Sequence, residues 1–350
     1  MVKRCFLLMV MLLALSTTAV ADNRPLIYIL ATGGTIAGSG ESSVGSSYKA
    51  GQQAISQLIA AVPQMEQIAD VRGEQVARIG SQDMTDEIML VIAKRVNELL
   101  ATDSVAGVVI THGTDTMEES AYLLTLTTKS DKPVVLVGSM RASTAISADG
   151  DRNLYNSVVV ASSLLSQGRG VLVAMNDKVY DAKGVTKTHT MAVDTFDSPN
   201  SGEIGYVNNG KVVYTQNAEY QHTVSSPFDI ATIAKLPRVA ILYGHSSVDR
   251  VLVDALVEEK YDGIVYAGVG NGNIHSNIIG ALSVAAKSGI AVVRSSRVPT
   301  GAVTDDAEID DQEYGFIASQ LLNPQKSRIL LMLCLSAGFD VEEIREQFKR

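Results

Sequence analysis

The chain has 350 residues, 46% of them hydrophobic, and its 38 acidic and 29 basic side chains give a formal net charge of −9. This length is enough for one large or two ordinary domains. The acidic balance, with no run of basic residues, argues against a nucleic-acid partner, whose phosphates would repel the chain. The five histidines are scattered and show no metal-ligand spacing, so we expect no metal and no cofactor.

The first 21 residues have the pattern of a cleaved export signal. Lys3-Arg4 precedes an apolar stretch from Cys5 to Leu15, and Ala19-Val20-Ala21 supplies the small residues of a cleavage site. Because the stretch is too short to anchor in a bilayer, we expect no membrane association after cleavage. The mature chain would begin near Asp22, reside in the periplasm and keep Cys334 as its one thiol, which cannot form an intrachain disulfide.

Apolar strands alternate with amphipathic helices in the first part of the mature chain. The predicted strands are Leu26–Ala31, Gln75–Ile79, Gly107–Ile110, Pro133–Val137 and Val171–Met175, and the predicted helices are Glu87–Leu100 and Met117–Thr127. Such alternation favours right-handed crossovers and a parallel sheet with helices on both faces. Thr116 and Glu119 predict a capping box at the start of the second helix.

The pattern changes near residue 200. Ile204–Val207 and Lys211–Tyr214 flank Asn208-Asn209-Gly210, which is a strong hairpin signal. Residues 215–236 are polar, so we expect a linker there between an N-terminal domain (22–214) and a C-terminal domain (237–350). The later predicted elements are strands Arg238–Tyr243, Gly263–Ala267 and Ala291–Arg294 and helices Ser327–Leu335 and Asp340–Phe348. The second of these helices is opened by Asp340 with Glu343.

Two glycine–threonine turns follow predicted strands. One is Thr32-Gly33-Gly34-Thr35, and the other is Thr111-His112-Gly113-Thr114-Asp115. Because open α/β sheets bind ligands at the carboxyl ends of their strands, these hydroxyls, backbone N–H groups and the carboxylate would share a cleft. Such groups suit attack on a carbonyl carbon without metal or coenzyme. Glycine could also simply supply the positive φ of a tight connection.

Other chemistries find weaker support in the motifs. There is no phosphate loop and no Gly-x-Ser-x-Gly elbow, and Gly268–Asn273 breaks the dinucleotide fingerprint at its third glycine. Lys187 is a candidate base for a threonine, although a loop lysine is more often a solvated charge. His112 could act as a base, but we favour a structural role in its turn. Ser81-Gln82 could bind a substrate carboxylate or cap the helix near Thr85.

The chain resembles the exported, type II bacterial L-asparaginases over nearly its whole mature length. The motifs that carry the likeness, in order and at similar spacing, are Ile29–Gly38, Gly80–Asp83, Ile110–Glu119, Val185–Thr188 and Arg294–Gly301. The resemblance implies an amidohydrolase that converts L-asparagine into L-aspartate and ammonia without a cofactor. It also implies a homotetramer, assembled as a dimer of dimers, with active sites at subunit junctions. The fold expected is α/β, with a mixed, mostly parallel sheet flanked by helices in the larger N-terminal domain and a parallel sheet in the smaller C-terminal one.

The resemblance also implies roles for individual residues. The catalytic residues would be the nucleophile Thr35, with Tyr48 beside it, and the cluster of Thr114, Asp115 and Lys187. The substrate-binding residues would be Gly34, Ser81, Gln82, Thr114, Asp115, Ser246 and Glu308. Free N–H groups near Gly34 and Thr114 would stabilise the oxyanion.

Several positions add detail or depart from the family pattern. Gly45–Lys49, which contains Tyr48, suits a mobile lid. Glu308 matches the acid that the family donates across the subunit interface. Ser246 or Ser247 stands where an asparagine is common, and Ser130 occupies one place of a cysteine pair seen in some members.

Two questions stay open at the level of sequence. Thr35 could form a β-aspartyl ester that water resolves, or Thr114 and Lys187 could activate water for direct attack. The function could be that of a dual glutaminase–asparaginase, although Gln82 and Val298–Gly301 resemble the asparagine-preferring branch. A rival from another class is a periplasmic amino-acid-binding protein, which would not need the two threonines and the lysine together.

Overall fold

A computed structural model describes residues 24–44 and 47–350, so the export signal predicted at 1–21 and the expected mature start near Asp22 lie outside the described residues. The strands are β1 (Leu26–Gly33), β2 (Asp70–Ile79), β3 (Val105–Thr111), β4 (Val134–Val137), β5 (Val171–Met175), β6 (Lys178–Asp181), β7 (Thr186–Lys187), β8 (Phe196–Asp197), β9 (Gly205–Asn208), β10 (Lys211–Tyr214), β11 (Val239–Tyr243), β12 (Gly263–Gly268), β13 (Ala291–Ser296) and β14 (Phe316–Ala318). The helices are α1 (Ile55–Ala61), α2 (Asp86–Leu100), α3 (Met117–Thr127), α4 (Gly150–Ser162), α5 (Val251–Glu258), α6 (Ser276–Lys287), α7 (Asp311–Tyr314), α8 (Pro324–Ser336) and α9 (Val341–Lys349).

The larger sheet has the strand order β10-β9-β6-β5-β4-β3-β1-β2. The five strands from β5 to β2 run parallel, and their central residues, such as Val108–Ile110, are fully buried because helices cover both faces. The strands β6, β9 and β10 pair antiparallel. The predicted hairpin joins β9 to β10 through Asn209 and Gly210, whose φ values of 50° and 69° are those of a tight two-residue turn.

The smaller sheet has the order β11-β12-β13-β14, and all its strands are parallel. Helices α5 and α6 contribute Val253, Ile278 and Leu282 to the core on one side of this sheet. Helix α8 packs against β11, β12 and β13 of the smaller sheet and also against α3, a helix of the larger domain. Its residues Leu330–Leu333 are at most 2% exposed and join the core of the larger sheet. The predicted fold class is confirmed.

The structure corrects one local prediction. Helix α3 begins at Met117 as expected, but the Thr116 side chain does not cap it. Instead, the Thr116 hydroxyl donates to the Ser81 carbonyl at 2.8 Å, and Glu119 is drawn towards Arg328. The capping box of Asp340 and Glu343 does form at α9.

The segment 215–236 is packed rather than fully solvated. It contains short 3-10 turns at Thr223–Ser225 and Ile230–Thr232, and Phe228 is 2% exposed. Cys334 on α8 is a free, buried thiol, and burial raises its pKa well above the usual range. Within the described ranges, no helix is both long and apolar enough to cross a bilayer.

Candidate active site

The two glycine–threonine turns leave the larger sheet side by side. Strands β1 and β3 are parallel neighbours, and the Thr32 hydroxyl donates to the Thr111 carbonyl at 2.9 Å where they end. Gly34 has a φ of 76°, and a Cβ placed on it would lie 2.6 Å from the Gly113 Cα. Only glycine permits both this conformation and this approach. The structure therefore brings the turns of Thr35 and Thr114 into backbone contact.

Thr35 lies at the start of a 3-10 turn, Thr35–Ala37, directly after β1. Its hydroxyl is 2.6 Å from the Tyr48 hydroxyl, and the Thr35 residue is 6% exposed. Tyr48 sits on a loop closed by two backbone hydrogen bonds between Ser39 and Lys49. Residues 45 and 46 of the predicted lid lie outside the described residues. The loop thus places a phenol over the first threonine.

The second threonine is in contact with the predicted lysine. Lys187, on β7, places its Nζ atom 2.9 Å from Thr114 Oγ1 and 2.6 Å from Asp115 Oδ1. The Lys187 side chain is 19% exposed, and that of Asp115 is 55% exposed. Lys187 is therefore not a solvated loop charge. The three side chains form a polar chain from the surface to the buried hydroxyl of Thr114.

A third turn, after β2, adds Ser81 to the same site. A Cβ placed on Gly113 would lie 2.5 Å from Ser81 Oγ, and this oxygen accepts a hydrogen bond from the Asp115 N–H at 3.0 Å. Gln82 next to it is exposed. Thr85 caps α2 by accepting from the Ile88 N–H. Ser81 therefore braces the second threonine turn and does not cap the helix.

The backbone of Gly34 is fully engaged. Its N–H donates to the Ile79 carbonyl at 2.8 Å, and its carbonyl accepts from the Gly51 N–H at 3.1 Å. The Gly34 amide itself is consequently not free, and the oxyanion donors expected near Gly34 and Thr114 stay a prediction. Gly34 instead allows the two turns to touch.

His112 is fully buried between the second threonine turn and α3. Its Nδ1 lies 2.7 Å from the Gly113 carbonyl, and its Nε2 lies 2.9 Å from the Ser120 hydroxyl. Burial lowers the pKa of His112 to about 4. Both ring nitrogens are occupied, which supports the structural role favoured from the sequence.

Ser246 and Glu308 lie in the C-terminal domain, away from this cluster. In the described part of the chain, neither side chain is hydrogen-bonded to the threonine turns; Glu308 instead accepts from Asn273 Nδ2 at 2.7 Å. Asn273 and Ser246 line a cavity of about 380 Å³, and Ser247 does not. Sequence reasoning missed Asn273, whose signal was the glycine-rich turn after β12. We call Ser246, Asn273 and Glu308 the C-terminal group.

A buried ion pair fixes the loop of the C-terminal group. Arg294, which is 0% exposed, contacts both carboxylate oxygens of Asp311 at 2.8 and 2.5 Å. It also donates to the carbonyls of Asn271 and Thr304 at 2.8 Å. The Arg294 guanidinium therefore joins the turn after β12 to the loop that carries Glu308. Among residues 24–44 and 47–350, no three His, Cys, Asp or Glu side chains are grouped to hold a metal ion.

Comparison with known families accounts for both regions. Residues 26–220 match the model of the asparaginase N-terminal domain, and residues 238–348 match that of the glutaminase/asparaginase C-terminal domain. The chain belongs to the asparaginase family. This membership makes it an amidohydrolase and counts against the solute-binding protein considered above.

Several members of the asparaginase family are similar over almost the whole chain. A probable periplasmic L-asparaginase of Haemophilus influenzae is 56% identical over 94% of each chain. L-asparaginase 2 of Escherichia coli is 54% identical over 93% of each chain. The crystal structure of a probable cytoplasmic L-asparaginase from Campylobacter jejuni has a TM-score of 0.90 and 49% identity, covering 93% of this chain and 99% of that one.

Proposed function

We propose that the chain hydrolyses the side-chain amide of L-asparagine to L-aspartate and ammonia, with Thr35 as nucleophile. The observation that carries this proposal is the contact between the backbones of Gly34 and Gly113, which gives both threonines access to one bound amide. Thr35 has the Tyr48 hydroxyl at 2.6 Å, and Thr114 has the Lys187 ammonium group at 2.9 Å. Relatives named L-asparaginase support the choice of substrate.

The charges around the second threonine suit an amino-acid substrate. The half-exposed Asp115 carboxylate can pair with the substrate α-ammonium group while keeping its bond to Lys187. The Ser81 hydroxyl and the Gln82 amide, on the adjoining turn, can hold the α-carboxylate. Such binding orients the side-chain amide towards the threonines, and orientation of this kind lowers the barrier by limiting the entropy lost in the reaction step.

In the proposed reaction, Thr35 Oγ1 attacks the amide carbon and its proton passes to the departing nitrogen, so that ammonia leaves. Water then attacks the β-aspartyl ester, and a proton returns to Thr35 Oγ1. Lys187, bonded to both Thr114 and Asp115, offers a path along which these protons can move. In the alternative that the sequence left open, Thr114 and Lys187 activate a water molecule, which attacks the amide carbon directly.

An ammonia-release assay on asparagine tests the proposal. Thr35→Ala and Thr114→Ala should each lose activity at least about a thousandfold, since each removes a group acting on the reacting atoms. Thr232→Ala, a matched change at an exposed threonine on a 3-10 turn, should match the parent protein. Mass spectrometry of quenched reactions should find an aspartyl adduct on Thr35. Activity retained in Thr35→Ala would eliminate the covalent route.

A dual glutaminase–asparaginase is the second candidate, because the C-terminal family model is named for both activities. Gln82 and Val298–Gly301 favour asparagine. Measuring kcat/KM for the two amides decides between them. Similar values for asparagine and glutamine would overturn the preference stated here.

We further propose a homotetramer in which the C-terminal group of one subunit completes the threonine site of another. Two observations support this assembly. Within the described residues of one chain, no hydrogen bond joins Ser246 or Glu308 to the threonine turns. The C-terminal domain also exposes large apolar side chains, with Tyr243, Val251 and Leu252 each more than 60% exposed in the single chain. Exposed apolar side chains of this kind are typical of a surface that a partner subunit covers. Light scattering should give four copies, and mixing Thr35→Ala with Glu308→Gln subunits should produce some sites with the parent's KM for asparagine.

Periplasmic residence and the domain limits 22–214, 215–236 and 237–350 are retained as proposals. The names of the similar proteins differ here, since one is called periplasmic and another cytoplasmic. The pattern within residues 1–21 favours export. Amino-terminal sequencing of the protein from a periplasmic extract should begin near Asp22. A chain recovered from the cytoplasm with Met1 intact would refute export.

A further inference from the structure

The buried ammonium group of Lys326 lies beneath the strand that carries Lys187. Lys326 is in the first turn of α8 and is 2% exposed. Its Nζ atom donates to the Lys183 carbonyl at 2.9 Å and to the Val185 carbonyl. Burying an ammonium group costs free energy unless hydrogen bonds compensate. The two hydrogen bonds of Lys326 Nζ offset part of this cost. Both carbonyls are backbone groups, and neither Lys183 nor Val185 has a role in the reaction proposed above.

Strand β7 has little support of its own. It consists of Thr186 and Lys187 and pairs only with the two residues of β8. A ribbon this short is marginal without further contacts. The two carbonyls bound by Lys326 lie on the chain leading into β7, the nearer one two residues before Lys187. The cation on α8 therefore restrains the backbone just ahead of Lys187.

The same turn of α8 also touches the helix that follows Thr114. Asn323 caps α8 by accepting from the Lys326 N–H at 3.0 Å. Its Nδ2 atom lies 3.5 Å from Thr186 Oγ1 and 3.5 Å from Glu118 Oε1. Glu118 is on α3, four residues after Thr114, and is 5% exposed. Asn323 at the start of α8 thus contacts β7, which carries Lys187, and α3, which follows Thr114.

Two nearby carboxylates offset part of the cost of burying the Lys326 cation, although its pKa remains below the usual value. Burial lowers the pKa of Lys326, whereas the charges of Glu118 and Asp181 raise it. One carboxylate oxygen of Glu118 has no hydrogen-bond partner and is buried. Replacing Lys326 by a neutral residue would leave these carboxylates without their counter-charge.

We propose that Lys326 is a positioning residue for Lys187, which sets the 2.9 Å contact between Lys187 Nζ and Thr114 Oγ1 through the Lys183 and Val185 carbonyls. The proposal rests on the proposed function, in which that contact takes part in the reaction. A displacement of about 1 Å at a reacting group can cost on the order of a hundredfold in rate. The C-terminal helix α8 would then adjust the geometry of a site built on the N-terminal sheet.

The test compares Lys326→Met with Arg345→Met. Arg345, on α9, is also a buried cation (7% exposed) that donates to backbone carbonyls, those of Phe316 at 2.8 Å and Asp311 at 3.3 Å, and it belongs to neither threonine turn nor to β7. Both variants should unfold at lower temperature than the parent. In samples shown to be folded by circular dichroism, Lys326→Met should lower kcat for asparagine about 30–100-fold with KM within about threefold. Arg345→Met should keep kcat within twofold.

Two further single variants and one double variant complete the test. Lys326→Gln keeps a shorter N–H donor and should give an intermediate kcat; a kcat within twofold of the parent for folded Lys326→Met or Lys326→Gln overturns the proposal. If neither variant folds, Lys326 is required for folding alone and the proposal is rejected. Lys187→Met separates the two hypotheses, because full activity in that variant refutes the role of Lys187 in the reaction, whereas a parent protein that releases no ammonia from asparagine refutes the proposed function itself. The double variant of Lys187→Met and Lys326→Met should be no slower than Lys187→Met alone.

Discussion

The threonine site and the C-terminal group both lie where parallel strands end, yet they are built differently. In the first, three turns after β1, β2 and β3 touch one another, and hydrogen bonds connect Thr114, Asp115, Lys187 and Ser81 within one chain. In the second, Ser246 and Asn273 line an open cavity and Glu308 is bound only at its edge. A strand end offers a place for a ligand, but only packed and mutually bonded side chains hold reacting atoms in position.

The sharpest way to break this comparison is to remove the cation of the threonine site. Lys187→Met should lower kcat/KM for asparagine about 10³–10⁴-fold, because Thr114 and Asp115 both lose their shared partner. Ammonia release measures the effect. Lys178→Met on β6, where the lysine is exposed and 3.8 Å from Glu203, is the control and should change little. If kcat/KM falls less than tenfold in Lys187→Met, the hydrogen bonds of Lys187 to Thr114 and Asp115 do not identify the groups that react.

The second prediction concerns the stability of the loop that carries the C-terminal group, which the Arg294–Asp311 ion pair holds in place. Arg294→Met should lower the free energy of unfolding by about 3–5 kcal/mol, because it leaves the buried Asp311 carboxylate without its partner. Urea unfolding measures the loss. Arg250→Met, which breaks the exposed pair with Asp254, should cause a much smaller loss, because water screens exposed charges. Equal losses in both variants would show that the ion pair does not fix this loop.

A pH series distinguishes the two regions, because the one strongly shifted carboxyl group among the described residues is on α3, beside the threonine site. Burial raises the pKa of Glu119 to about 7, against the opposing effect of Arg328. The unfolded chain ionises this group first, so the free energy of unfolding falls as the pH rises from about 4.5 to 7. Glu119→Gln should be more stable than the parent by about 1–3 kcal/mol at pH 8 and equal to it at pH 4.

His112 gives the opposite slope over part of that range. Its lowered pKa of about 4 means that the free energy of unfolding rises with pH from about 4 to 6.5, since the unfolded chain holds the proton longer. The two slopes offset each other in the parent protein, and Glu119→Gln should reveal the rise due to His112. Urea unfolding between pH 4 and 8 checks both statements. Glu258→Gln on the exposed face of α5 is the control. If the free energy of unfolding depends on pH in the same way in Glu119→Gln as in the parent, the statements about Glu119 and His112 are contradicted.

The smallest expected effect concerns recognition by the C-terminal group. Glu308→Gln should raise KM for asparagine about tenfold and leave kcat within about twofold, because it removes a charge that would face the substrate ammonium group from a neighbouring subunit. Glu313→Gln makes the same charge change on nearby α7 and should leave both constants unchanged. A fall in kcat with KM unchanged would place Glu308 among the reacting groups.

The sequence predicted the strands and the site to different depths. The apolar runs of β1, β3 and β5 are long and bounded by glycine or polar residues, so their periodicity alone located them within a few residues. Helix α4 was not predicted, because its run Val158–Val160 is β-branched and its first residue is glycine. The helix nevertheless forms because it packs against β1, β3, β4 and β5 of the larger sheet, and this burial overrides the local preference.

Within the site, the pairing of Lys187 with Thr114 came from the family resemblance, since the two residues are 73 positions apart and no local pattern connects them. The capping box at Thr116 failed because a tertiary partner, the Ser81 carbonyl, competes for the hydroxyl. Lys326 and Asn273 were missed for a related reason. A lysine in a helix and an asparagine in a glycine turn are usually solvated, and only the folded chain shows which carbonyl or carboxylate they meet.

The lone buried thiol of Cys334 has a practical consequence for following the loop that carries Tyr48. Reagents that alkylate cysteine would find no accessible sulfur in the described part of the chain. A cysteine introduced at the 83% exposed Val44 would therefore accept a fluorophore at a single position, free of background from the natural thiol. Whether this loop moves over Thr35 could then be measured optically during turnover, without removing the natural thiol.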